Sequence, residues 1–278
     1  MGTAPVIRHA EYTGDASSAG SLVRCFGIAP HIRVISLVGA GGKTSLMYAL
    51  AREALSQGKR VVTTTTTKIR CPKGHESPCL ILVDSHPGIA GLPESLLKFR
   101  HVTVAQAYLP QEKKLQGVED AAVESCALHA DVIIVEADGA SRRPVKAPEQ
   151  WEPVIPRNTD LVIPVVGLDC IGRPATAENV FRLERFEEVT GVGAGREITP
   201  AAIGRLLAHP AGACKGVPPG IPVIPFLNKT DQLRDPGAID EIARTVGEQA
   251  EGRIESIVAA SLLGGTPGSM EREEQSSP

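Results

Sequence analysis

The chain has 278 residues, with 29 Lys and Arg against 32 Asp and Glu and a net charge of −3. That length supports about two domains, or one large α/β domain with an insertion, and buries a core without disulfides or metals. No run approaches the roughly 18–20 uninterrupted apolar residues that a bilayer crossing needs, no secretory leader opens the chain, and no Lys/Arg block marks a nucleic-acid footprint. Membrane and nucleic acid are therefore excluded as partners, and six irregularly spaced cysteines read as thiols of a reduced cytoplasm.

Residues 1–21 are rich in Gly, Ala and Ser without a sustained period and read as a flexible lead-in. Residues 22–28 suit a short helical turn. A buried strand follows at 33–38 (RVISLV), then a glycine turn and a helix over 45–57 ending at Gly58. Strands are expected at 60–65, 80–83 and 102–105, with a helix at 92–99 between the last two. A helix at 118–128 feeds 131–136 (DVIIVE), the strongest strand pattern in the chain. After an irregular basic and proline-rich stretch at 140–160 come a strand at 161–166, a salt-bridged surface at 182–185 and a helix near 200–207. The apolar run 221–227, a helix at 239–251 and a strand at 254–259 complete the domain, taken as 22–263. The tail 264–278 is too polar to order itself.

Short apolar strands alternating with helices predict a three-layer α/β fold of the P-loop NTPase type. In it a mostly parallel central sheet carries helices on both faces. Ligands of such sheets bind outside the carboxyl ends of the strands. Each motif below follows a predicted strand end.

Gly39, Ala40, Gly41, Gly42, Lys43, Thr44 and Ser45 leave a strand and enter a helix. They satisfy the G-K-[ST] half of the Walker A pattern but carry Leu37 where its first glycine belongs. Three glycines in four positions let backbone N–H groups curl round an anion at a helix N-terminus. Lys43 is then the β/γ-phosphate cation and Thr44 an Mg²⁺ ligand. Thr63 to Thr67 end the next strand; Thr65 and Thr66 are the hydroxyls most suited to the γ-phosphate, with Lys68 as an added cation, although strand propensity alone accounts for such a run. Glu136 and Asp138 close DVIIVE as a Walker B-like pair, with Glu136 on the metal and Asp138 orienting water or an acceptor.

Asn228, Lys229 and Asp231 follow an apolar run in the Asn-Lys-x-Asp order that reads guanine. A carboxylate accepts from both N1–H and the 2-amino group of guanine and has no such donors on adenine. Ala260, past the last strand, suits a backbone contact to the base. GTP is favoured, with ATP the alternative. Arg142, Arg143 and Lys146 could clamp an anionic small molecule, and Asp169 follows another strand end. Cys71, His75 and Cys79 fall short of a zinc site for want of a fourth ligand.

Six segments together resemble the YqeC family: VISLVGAGGKTSLMYALA (34–51), VVTTTTTKI (61–69), VIIVEADGASRRPVKAP (132–148), EPVIP (152–156), VVGLDCIG (165–172) and PFLNKTD (225–231). Its members are described as accessory proteins for selenium-dependent molybdenum hydroxylases. The resemblance implies a client hydroxylase or cofactor-synthesis protein as partner. Motif order is also similar to the GTPases that mature hydrogenase and urease, with Glu136 and Gly139 as their Glu-x-x-Gly. Leu37 and the basic stretch after Gly139 depart from that pattern. Three activities stay open: GTP hydrolysis by an assembly factor, phosphoryl transfer to a small molecule, and nucleotide binding without catalysis.

Overall fold

The computed structural model describes residues 2–13, 17–18, 20–83 and 89–262. Its strands are β1 (Val6–His9), β2 (Val34–Gly39), β3 (Val61–Thr65), β4 (Lys68–Arg70), β5 (Leu80–Leu82), β6 (His101–Ala105), β7 (Ala107–Leu109), β8 (Lys114–Gln116), β9 (Val132–Glu136), β10 (Val145–Lys146), β11 (Leu161–Gly167), β12 (Val180–Phe181), β13 (Phe226–Asn228) and β14 (Ser256–Ala260). Helices are α1 (Leu22–Cys25), α2 (Lys43–Ser56), α3 (Leu92–Phe99), α4 (Asp120–Ala127), α5 (Leu183–Thr190), α6 (Pro200–Ala208) and α7 (Ala238–Gln249).

Nine strands form one parallel sheet in the order β1-β14-β13-β11-β2-β9-β3-β6-β5. The alternation of side chains along a strand distributes its two faces. Ile35 and Leu37 of β2 pack with α1 and α2, joined by Ile134, Ile163 and Phe226. Val34 and Val38 point the other way, where α3 and α4 cover one half of the sheet and α5, α6 and α7 the other. Helices on both faces make the three-layer α/β arrangement expected from the strand pattern. Every carboxyl end therefore opens on one crest. From β2 the chain goes out through β3 to the edge strand β5, fills in β6 and then β9 beside β2, and only then adds β11, β13 and β14 on the opposite flank. That reversal leaves a crevice at the end of β2.

Two expectations are corrected. The lead-in 1–21 contains β1, an edge strand that runs parallel to β14 from Val6↔Ser256 to His9↔Ala259; three of its four side chains are exposed, so ladder hydrogen bonds rather than an apolar pattern hold it. The run 221–227 shortens to β13, because Pro222 and Pro225 remove ladder donors and leave Val223 only an isolated bridge to Val162. Two small sheets lacked a sequence signal, the antiparallel β4-β8-β7 and the pair β10-β12, being two or three residues per strand. The tail 264–278, expected to be disordered, lies outside the described residues.

A polar layer interrupts the core beneath α2. Thr63 Oγ1 lies 2.8 Å from Thr103 Oγ1 and 3.1 Å from His101 Nε2, whose ring packs 6.2 Å from that of Tyr48. Burial pushes the His101 imidazole down from 6.5 to about 4. The folded protein thus refuses a proton that the unfolded chain accepts, and stability falls as pH drops from 6.5 through 4. His101→Gln removes that titration. Urea unfolding at pH 7 and pH 5 should show a smaller acid loss in the variant than in the parent, and equal losses would show that His101 is not buried neutral.

Candidate functional site

The turn after β2 is fixed by close backbone approaches. At Gly41 (φ 85°) a Cβ would lie 2.1 Å from Gly167 N and 2.5 Å from Pro144 O. At Gly42 (φ 132°) it would lie 2.2 Å from Asn228 Nδ2. No side chain fits either position. Sequence reasoning expected the glycine amides to cradle an anion, but the first three loop amides are already engaged. Gly39 N donates to Asp138 Oδ2 (3.1 Å), Ala40 N to Val165 O (2.9 Å) and Gly41 N to Arg143 O (3.1 Å). The donors left over are the amides of Gly42, Lys43, Thr44 and Ser45, which have no acceptor among the described residues. They stand at the N-terminus of the 14-residue α2, where the helix dipole adds positive potential.

Beside them lies a buried charge cluster. Lys43, with 3% of its side chain exposed, bonds Gly39 O and sits 3.0 Å from Asp138 Oδ1 and 3.9 Å from Glu136 Oε1. Thr44 Oγ1 donates to Glu136 Oε2 at 2.7 Å. Lys146 is fully buried and reaches Gly139 O (2.6 Å), Asp138 Oδ2 (2.9 Å) and Glu152 Oε2 (3.0 Å). Asp138 is therefore held between two ammonium groups. Its Oδ2 takes the Gly39 amide and Lys146, while Oδ1 faces Lys43 Nζ at 3.0 Å and has no hydrogen bond among the described residues. Lys146 is an interior counter-ion, not an open clamp for substrate. Glu152, within the EPVIP segment, was given no role from the sequence because nothing in its proline-rich surroundings carries a period.

The remaining candidates divide. Thr65 Oγ1 donates to Glu136 O (2.8 Å) and Thr66 Oγ1 to Val154 O (2.7 Å), so these hydroxyls tie the crest together. Lys68 is carried off by β4 onto the small antiparallel sheet, half exposed and paired with Glu112, and the fold does not bring it to the loop. Arg143 donates to Ala177 O and Ser141 O, whereas Arg142 is exposed. Across the crevice, Asn228 Nδ2 donates to Gly41 O (2.8 Å), which joins the expected base-reading loop to the expected phosphate loop. Lys229 Nζ pairs with Asp169 Oδ2 (2.8 Å), and Asp231 accepts from Ser261 Oγ just past Ala260.

Thr44 and Glu136 suit a hard cation, since Mg²⁺ is commonly held by one or two protein oxygens and completed by phosphates and water. Desolvation raises the pKa of Glu136, against the opposing pull of Lys43 and the Thr44 hydrogen bond. The folded state then binds a proton at Glu136 more readily than the unfolded chain. The ionised carboxylate works against folding at neutral pH, and that penalty fades as pH falls through the raised value. Glu136→Gln keeps the shape and should melt higher than the parent at pH 7. The gap should close below the ordinary glutamate value of 4.5. A variant that melts lower at pH 7 would mean that pairing with Lys43 outweighs desolvation.

A family model described as "YqeC protein" matches residues 35–184, which span β2, the crest loop, β9 and the buried cluster. A protein of Escherichia coli (strain K12), named "Uncharacterized protein YqeC", is 35% identical over 211 residues, covering 75% of this chain and 80% of its own. Among the described residues no helix is long and apolar enough to cross a membrane. With its glycine loop, its Glu136–Asp138 pair and most of its length inside these matches, the chain belongs to the YqeC family.

Proposed function

We propose that this protein binds a nucleoside triphosphate with Mg²⁺ at the crest of the sheet and hydrolyses it, with GTP preferred. We further propose that it does so as an accessory factor in maturing a selenium-dependent molybdenum hydroxylase or its cofactor. One observation carries the nucleotide reading: the amides of Gly42 and of the first three residues of α2, unbonded among the described residues, converge with Lys43 and with the Thr44–Glu136 pair. That set offers an anion backbone donors and a cation, and offers a metal two oxygens. The hydroxylase role rests on the family resemblance.

Lys43 and the α2 amides bind and orient the phosphates, while Thr44 and Glu136 would hold the metal. A bound Mg²⁺ would neutralise charge on the phosphate oxygens. Asp138 keeps Lys43 in place through the ion pair at 3.0 Å, and its Oδ1, without a hydrogen bond among the described residues, is the atom that would orient water or an acceptor. Asn228 fixes the far loop against Gly41, which would present Asp231 to the edge of the base.

Lys43→Ala should weaken GTP and ATP binding at least about tenfold in calorimetric titration. It should also lower the melting temperature, because Asp138 loses one of its two cations. Unchanged affinity for both nucleotides would sink the phosphate-loop reading. Asp231→Asn tests the base. Loss of a charge-assisted bond, about 1.5–3 kcal/mol, should weaken GTP roughly 10- to 100-fold and favour XTP relative to it. A parent that prefers ATP would transfer the reading to ATP. Release of free phosphate, as against its appearance on an added small molecule, separates hydrolysis from phosphoryl transfer.

A further inference from the structure

The chain has a single tryptophan, and Trp151 is 68% exposed. It stands in a segment that the fold holds firmly. Lys215 Nζ donates to the carbonyls of Glu149, Gln150 (2.7 Å) and Glu152 (3.1 Å). Val154, itself 44% exposed, donates through its amide to Ala137 O (2.9 Å), the residue between Glu136 and Asp138, and accepts from Thr66 Oγ1. An unbroken path joins the indole to the crest cluster: Trp151 to Arg182, Arg182 to Glu152, Glu152 to Lys146 and Lys146 to Asp138.

Arg182 lies 5.9 Å from the Trp151 ring centre and 4.6 Å from that of Phe181. Its one ion pair is loose, at 3.8 Å to Glu152, and its guanidinium makes no hydrogen bond among the described residues. Aromatic residues make up only 3% of the chain, and burying this one would have stabilised the core. Instead the largest flat apolar side chain stands in solvent, on a backbone that Lys215 pins, beside an under-used cation. Such a pair matches a ligand that has both a planar ring and a negative charge: the ring stacks on indole, and the charge meets the guanidinium. Exposed Arg142, on the segment whose Arg143 carbonyl accepts from Gly41 N, adds a further positive charge at the same crest.

We propose that Trp151 and Arg182 form a binding site for a planar heteroaromatic phosphate ester, separate from the triphosphate site and open to the same crest. The existence of this site does not depend on the nucleotide reading; a role for its ligand as the second substrate would rest on that reading.

The single tryptophan makes the test direct. Flavin mononucleotide serves as probe, riboflavin as the ring without the charge, and ribose 5-phosphate as the charge without the ring. Flavin mononucleotide should quench Trp151 saturably, binding about tenfold tighter than riboflavin, and ribose 5-phosphate should leave the emission unchanged. Calorimetry should show that Arg182→Gln reduces flavin mononucleotide to riboflavin affinity, that Trp151→Ala loses about tenfold, and that Trp151→Phe stays within about threefold. Saturating GTP should leave the flavin mononucleotide affinity intact, whether or not GTP itself binds. The proposal is overturned by quenching that rises linearly without saturation, by equal affinities for the phosphorylated and plain flavin, by an Arg182→Gln variant that binds like the parent, or by displacement with GTP, which would make the ring site part of the triphosphate site.

Discussion

The crest depends on one buried carboxylate. Asp138 has 2% of its side chain exposed, and an isolated ionised carboxylate at such depth would be far too costly to keep charged. Two ammonium groups within 3.0 Å and the Gly39 amide make it tolerable. Each partner belongs to a different part of the chain: Lys43 opens α2, Lys146 lies in β10, and Gly39 ends β2. Meeting the needs of one charge therefore fixes the lysine after the glycine loop, the segment after β9 and the strand end relative to one another. Removing one member of such a group leaves an uncompensated buried charge, typically at about 3–5 kcal/mol. The cluster holds its geometry through that penalty more than through net stabilisation.

Around this centre the crest loops are bonded to each other rather than to their own strands. Gly41 N meets Arg143 O, Gly167 N meets Pro144 O, and Asn228 Nδ2 meets Gly41 O. Val154 N meets Ala137 O, and Thr66 Oγ1 meets Val154 O. Loops from β2, β3, β9, β11 and β13 thus form a connected rim. A rim of this kind uses the glycine amides that a longer phosphate loop would leave free. This accounts for the departure at Leu37. The loop is short, its first amides face protein, and the donors that remain are those of the helix N-terminus.

The sheet was legible because its central strands are apolar throughout: VISLVG of β2 and VIIVE of β9 bury every side chain, and a fully buried strand of that length between helical segments has few other readings. Where stability comes from backbone ladders instead, as in β1 or the three-residue β4, β7 and β8, composition carries no trace. The candidate site was legible by position along the chain but not by contact. Lys43, Thr44, Glu136 and Asn228 do converge. Lys68 does not, because the chain turns after Thr65 and begins a second sheet. Lys146 looked like an exposed clamp beside two arginines, and only the fold shows that Glu152 and Asp138 enclose it.

Burial and charge pull against each other at Glu136. Desolvation disfavours its charge, and the Thr44 hydroxyl and the Lys43 ammonium recover only part of that cost. A side chain selected for stability alone would be neutral there. A carboxyl group kept at a site that resists ionisation is instead suited to a partner that brings its own positive charge. The same logic reaches the surface at Trp151, where Lys215 pins the flanking backbone carbonyls and the exposed ring rests beside a guanidinium with no hydrogen bond of its own among the described residues. Both are places where the folded chain leaves an interaction incomplete, one buried and one exposed. A buried ion path through Glu152, Lys146 and Asp138 links the two.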